Sequence, residues 1–173
     1  MNSAGQHQLR EQHILFLDPG KLTGYAKLDD GQFFRSGECS AREVGGIVEG
    51  HCETQCTAVI GWEKFDIMPQ TWMMKGSAET IEVIGVIKYV GQKFGAIFTP
   101  PVARQAKKQV PDGMLKAMGW HRPGHGGHAN DAARLLLSWM IAGRFLSLQQ
   151  HDTVTAYLKE SRKAETESAV RGD

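Results

Sequence analysis

Cysteine is scarce in this 173-residue chain, and the three present, Cys39, Cys52 and Cys56, are an odd number without a disulfide spacing pattern. That excludes a small disulfide-stapled scaffold and points to a reducing, cytoplasmic location. No apolar run is long enough to cross a bilayer, so no membrane association is expected. The first twelve residues are polar and lack the apolar stretch of a secretory signal; they read as a flexible arm. Net charge is lacking as well. Twenty Lys and Arg against 19 Asp and Glu give +1 at pH 7, so any contact with nucleic acid must come from a local basic patch. No segment repeats and nothing marks a second domain. What is present is an ordinary composition, 41% apolar and 23% charged, in a chain long enough for one full hydrophobic core.

The stretch His13-Ile14-Leu15-Phe16-Leu17-Asp18-Pro19-Gly20 organises the rest. Ile14 to Leu17 has the length and residue types of a buried strand, which ends on a carboxylate and is stopped at once by Pro19-Gly20. Thr23-Gly24-Tyr25-Ala26 begins a second strand after a tight reversal. A buried strand fixes the acid at its end better than a loop can, and an ionised carboxylate there needs a cation or a donor. A turn-capping aspartate is the simpler reading of Asp18 taken alone.

Strands are expected at roughly 13–18, 23–29 and 32–37, the last two joined by the hairpin signal Asp29-Asp30-Gly31. These make an antiparallel three-stranded ribbon. Ser40-Ala41-Arg42-Glu43 reads as a capping box opening a helix that runs to about Thr54. Thr57 to Glu63 is a second buried strand that ends on a carboxylate. The strand–helix–strand order places it parallel to a ribbon strand, and pairing beside the first brings Glu63 and Asp18 out at the same edge. A Met- and Trp-rich loop follows at 64–77. After it come an amphipathic helix at 78–94 with Ile81, Ile84, Ile87 or Lys88, and Tyr89 at core-like spacing, and a short strand at 95–99. Two small helical pieces, 102–109 and 112–118, and a glycine-rich link lead to a buried helix from His128 to about Gly143. The charged tail from about Ser147 reads as one exposed helix and then disorder.

The last core helix opens His128-Ala129-Asn130-Asp131, with His128 and Asp131 three apart on one face. Capping explains one polar residue there; both need more. Asp18, Glu63 and Asp131, with His128 beside them, compose an oxygen-rich pocket suited to Mg2+ or Mn2+ rather than zinc. Two such ions bridged by a carboxylate such as Asp18 would supply what phosphodiester hydrolysis needs. His128 could ligate an ion, orient a water or protonate the leaving group.

On these residues the chain resembles the RuvC-type Holliday-junction resolvases of the ribonuclease H-like superfamily, as a phage or divergent member. Leu17-Asp18-Pro19-Gly20 with Thr23-Gly24-Tyr25-Ala26 matches the opening motif and its first catalytic Asp, and Glu63 matches the catalytic Glu. Pro101 to Lys107 resembles the basic segment, with Lys107 where a DNA-contacting lysine is expected and Lys116 near a second. Asp131 takes the place of the last catalytic acid, and His128 stands where many members have an Asp. The match covers about residues 13–142 in the right order. The resemblance implies an α/β fold with a five-stranded mixed sheet, three antiparallel strands then two parallel, flanked by helices. It implies a nuclease domain at 13–146, with 147–173 as a charged tail. It also implies a homodimer that cuts four-way DNA junctions, with Asp18, Glu63, His128 and Asp131 as catalytic and metal-site residues.

Arg104, Lys107, Lys108, Lys116 and Arg122 form the densest basic stretch and read as phosphate contacts, or more blandly as a solvated helix face. Trp72 and Lys75 lie in the loop that in the resembled family meets the junction centre; Trp72 could wedge into DNA or simply pack beneath the next helix. His121, His125 and His128 raise zinc, but no spacing matches a structural site. The rival functions are a flap or RNA/DNA-hybrid nuclease and a catalytically silent DNA-binding module. An actin-like phosphotransferase would need a second phosphate loop and an adenosine-binding segment, for which 173 residues leave no room.

Overall fold

β1 (His13–Asp18) is buried along all six of its residues, as a strand enclosed on both faces must be. The computed structural model that shows this describes residues 13–53, 57–65, 76–124 and 127–171. The chain continues through β2 (Leu22–Asp29), β3 (Phe33–Ser40), α1 (Val44–Glu53), β4 (Ala58–Trp62), α2 (Ser77–Lys93) and β5 (Ile97–Phe98). A 3-10 helix (Arg104–Gln109), α3 (Asp112–Ala117), α4 (His128–Gly143) and α5 (Leu148–Arg171) complete it. The sheet order is β3-β2-β1-β4-β5. β1, β2 and β3 pair antiparallel, and β4 and β5 join in parallel. The expected mixed sheet is therefore observed.

Side-chain alternation divides the core. Ile14 and Phe16 of β1 face α4 with Ala132, Ala133, Leu135, Leu136 and Leu137. Leu15 and Leu17 face the other way, against Val44, Val48, Val83 and Ile87 of α1 and α2. The sheet is thus the middle layer of three. Gly61 on β4 admits the Phe16 ring, since a Cβ there would lie 2.4 Å from it.

The elements differ from the sequence expectation where local signals mislead. β3 runs on to Ser40, and α1 starts only at Val44. Glu43 does reach back to the Ser40 N–H, at 2.8 Å, but the Ser40 hydroxyl donates to the same carboxylate instead of capping, so the box closes a turn. On α2 the buried positions after its first residue, Ser77, are Val83, Ile87 and Gly91, while Tyr89 is exposed. Gly91 sits in that stripe because the Phe98 ring lies 2.8 Å from where its Cβ would be. α5 is helical through to Arg171, and its first half is anchored: Val154 is buried and the Tyr157 ring lies against Gly113 of α3. Trp72 and Lys75 lie outside the described residues.

His51 of α1 is buried and donates through Nε2 to the His13 carbonyl at 3.1 Å. Burial, helped by the Lys27 charge, pulls its pKa down to about 4. The unfolded chain then takes up a proton near pH 6.5 that the folded chain refuses. Stability should fall by ~3 kcal/mol as pH drops from 6.5 towards 4, and level off below. Urea unfolding across that window should show a shallower slope for His51→Gln, which keeps a donor and cannot titrate.

Candidate functional site

Strand parity places the acids. Asp18 follows Ile14 and Phe16 on the α4 side of β1. On β4, Val59 faces α4 while Ile60 and Trp62 face α1 and α2, so alternation carries Glu63 to the α4 side too. Leu17 pairs with Trp62, and the Glu63 N–H donates to the Leu17 carbonyl at 3.1 Å, setting the two acids side by side.

α4 reaches the same edge because β2 lets it. Gly24 pairs with Asp18, and a Cβ on Gly24 would lie 1.9 Å from the His128 carbonyl oxygen. The helix starts from Gly127, at φ 102°, with no side-chain cap of its own. The Ala129 N–H instead donates to Glu38 of β3, at 3.3 Å. His128 and Asp131 are thereby released from capping and turned to the sheet edge. The loop before α4 is held by buried Asn130, which accepts from the Arg122 N–H and donates to its carbonyl, both at 2.9 Å.

One cation ties the group together. Lys107 Nζ lies 2.7 Å from Asp18 Oδ1, 2.8 Å from Glu63 Oε2 and 3.2 Å from Asp131 Oδ2. His128 Nδ1 lies 2.9 Å from Asp18 Oδ2. The 3-10 helix explains the lysine's direction: residues three apart share a face there, so Arg104 also turns to Glu63, at 3.9 Å, although it is largely exposed. The Lys107 side chain is 14% exposed and that of Asp18 8%.

Burial works against the charged form of Asp18, but its contacts with Glu63, Lys107 and His128 outweigh that and hold the carboxyl below its ordinary range. Burial and the neighbouring Asp18 push Glu63 up, against the pull of Lys107. Burial also disfavours the Lys107 ammonium, yet Asp18 and Glu63 raise its pKa above the usual lysine value. Of the two adjacent acids, Asp18 is the ionised one and Glu63 the readier to take a proton.

Asp18, Glu63, Lys107, His128, Asp131 and Arg104 line a cleft of about 670 Å³. Lys108 and Lys116 are exposed, and neither is among the residues that line it. With the acids closed on the lysine, no three His, Cys, Asp or Glu side chains among the described residues are set to hold a metal ion. The donor set nevertheless fits a hard cation, because three carboxylates from separate elements already converge on one positive charge. His121 stands 3.9 Å from Asp112 and His125 lies outside the described residues; among the described residues no histidine belongs to a zinc-like cluster.

The five-stranded mixed sheet, with helices on both faces and acids at its edge, defines a ribonuclease H-like fold. The structure is similar to T. thermophilus RuvC in complex with Holliday junction substrate: TM-score 0.53, 13% identity, over 76% of this chain and 95% of that one. A second Thermus thermophilus RuvC structure matches at TM-score 0.45 and 12% identity, over 76% and 96%. No family model matches the chain, and no curated protein matches it. At these identities the likeness is one of fold.

Sequence reasoning brought Asp18, Glu63, His128 and Asp131 to one spot, where the structure also has them. It missed Gly24, Glu38 and Asn130, and also Arg134, whose guanidinium donates to Asp131 Oδ1. Only Gly24 carried a signal, its place just past the reversal that follows Asp18.

Two variants test the geometry. Lys107→Ala leaves three carboxylates facing one another and should cost roughly 3 kcal/mol in metal-free buffer at pH 7. The deficit against the parent should shrink on acidification, because protonating the acids removes their repulsion; paired melts at pH 7 and 5 read this. Gly24→Ala should push α4 off the sheet and cost about 1–3 kcal/mol in the same melts.

Proposed function

We propose that the chain is a metal-dependent endonuclease acting on branched DNA, with four-way junctions as its preferred substrate. The observation that carries this is the convergence of Asp18, Glu63 and Asp131, from two strands and a helix, on one cationic point in an open cleft. Asp18, Glu63 and Asp131 would hold Mg2+ or Mn2+, two ions in the full reaction, with His128 beside them. Such ions make a water nucleophilic at neutral pH and offset charge on the leaving oxygen.

The chain's own residues do the rest. Until an ion takes the ammonium's place, Lys107 and His128 keep Asp18 ionised and oriented. Glu63, set beside Asp18 by the pairing of β4 with β1, would complete the shell of a bound ion. His128 engages Asp18 through Nδ1 and keeps Nε2 for proton exchange at the half-open cleft wall. Arg104 at the cleft, with Lys108 and Lys116, would bind phosphates, as would Lys107 once an ion has displaced it from the acids, and Trp72 and Lys75 would contact the junction. A homodimer in the cytoplasm fits a two-fold substrate; among the described residues no helix is long and apolar enough to cross a membrane.

One observation favours a silent DNA-binding module: Lys107 already neutralises part of the acidic cluster. Cleavage assays on labelled junction, flap, duplex and RNA/DNA hybrid with Mg2+ or Mn2+ separate the readings. Cutting of the junction above the others supports the proposal, and binding without cutting in either metal overturns it. Asp18→Asn, Glu63→Gln and Asp131→Asn should each reduce cleavage at least 100-fold while junction binding persists in gel shifts.

A further inference from the structure

Arg134 sits one turn along α4 from Asp131, away from the cleft, and its guanidinium joins two acids. One Nη donates to Asp131 Oδ1 and the other to Asp112 Oδ1, at the first residue of α3. The Arg134 side chain is 18% exposed, in contrast to a solvated helix pair. Exposed pairs three apart on a helix are common and contribute little. This one differs because the same guanidinium is fastened to a second helix.

The consequence falls on Asp131. Its Oδ1 is occupied by Arg134, and its Oδ2 is the oxygen that meets Lys107 Nζ, 3.2 Å away. A carboxylate on a helix can rotate about χ2 and exchange its oxygens. With Oδ1 held from behind by Arg134, Oδ2 is the oxygen presented to the cleft. Asp112 has no contact with the cleft and acts by fixing the guanidinium.

We infer that Arg134 and Asp112 form a clamp that positions Asp131, so that the third acid of the site presents a single, fixed oxygen to a bound divalent cation. The inference rests on the metal-site reading above and assigns it two positioning residues that are not among those lining the cleft. Positioning and charge make opposite demands on the obvious variant. If Arg134 mattered only as a positive charge near the site, its removal would tighten cation binding. As a clamp, its removal loosens Asp131 and weakens binding.

Mn2+ titration of the full chain, followed by the paramagnetic resonance signal of the free ion, tests this on the parent, Arg134→Met, Arg134→Lys, Asp112→Asn and the Arg134→Met/Asp112→Asn double variant. Circular dichroism establishes that each variant is folded. Arg134→Met should bind Mn2+ about 10-fold more weakly or worse, the range seen when an outer partner of a metal ligand is lost. Arg134→Lys keeps the charge but replaces the two-nitrogen fork, one Nη on each acid, by a single ammonium that cannot hold both in the same geometry, and should also bind more weakly. Asp112→Asn should fall in the same direction, and the double variant should be no worse than Arg134→Met alone, because both substitutions break one linkage. Should Arg134→Met not fold, Arg134→Lys and Asp112→Asn decide the matter. A parent that binds while Arg134→Met binds equally or more tightly, or while Arg134→Lys keeps full affinity, overturns the clamp alone. A parent that takes up no Mn2+ overturns the metal site and the clamp together.

Discussion

A carboxylate at the end of a strand buried on both faces is an expensive thing to fold around. Asp18 closes β1 with almost none of its surface in water, and its ionised form survives only because positive charge and hydrogen-bond donors reach it. Lys107 does so from 89 residues away and His128 from 110. The 3-10 helix and the start of α4 must both come to the sheet edge for that to happen. Neither Lys107 nor His128 is held by its own element alone; the acid fixes their place as much as they fix its charge.

Packing does the positioning. Alternation along β1 and β4 is set by which apolar side chains face α4 and which face α1 and α2, and the same alternation turns Asp18 and Glu63 to one side. A one-residue slip of β4 against β1 would send Glu63 towards the α1 and α2 layer. The core therefore protects the site's geometry without contributing an atom to it. Gly24 makes the third approach possible, since any side chain there would meet the backbone of α4 at His128.

Much of this was legible from residues alone, for a reason that also marks where legibility stops. Asp18, Glu63, His128 and Asp131 each stand at the end of an element whose apolar pattern is unambiguous, so their common location follows from topology. Lys107 was expected on DNA, because a run of Arg104, Lys107 and Lys108 reads as an outward basic face. The tighter 3-10 winding sets 107 on the cleft face with the exposed 104 and leaves 108 off it, a distinction that α-helical spacing does not draw. Arg134 was invisible because an arginine three residues after an aspartate is ordinary on any helix. Its meaning lies in Asp112, which only the tertiary structure brings near. Tyr89 was misplaced for the converse reason: Gly91 holds a core position on α2, and glycine leaves no mark in an apolar pattern.

The charges at the edge do not balance, and that imbalance bears on function. Three acids share one buried ammonium, with Arg134 engaging the outer oxygen of one and the exposed Arg104 only near another. A structural ion pair would be expected to match acid with base, since surplus buried charge costs stability without adding packing. Glu63, driven towards its protonated form by burial and then by Asp18, shows where the surplus falls. A chain that needed only a fold could relieve it by replacing Glu63 with glutamine. The oxygens that satisfy the ammonium are also those a divalent cation would require. Lys107 and such an ion are therefore alternatives at one point, and a divalent ion in the ammonium's place would set two positive charges against the three acids where the lysine sets one.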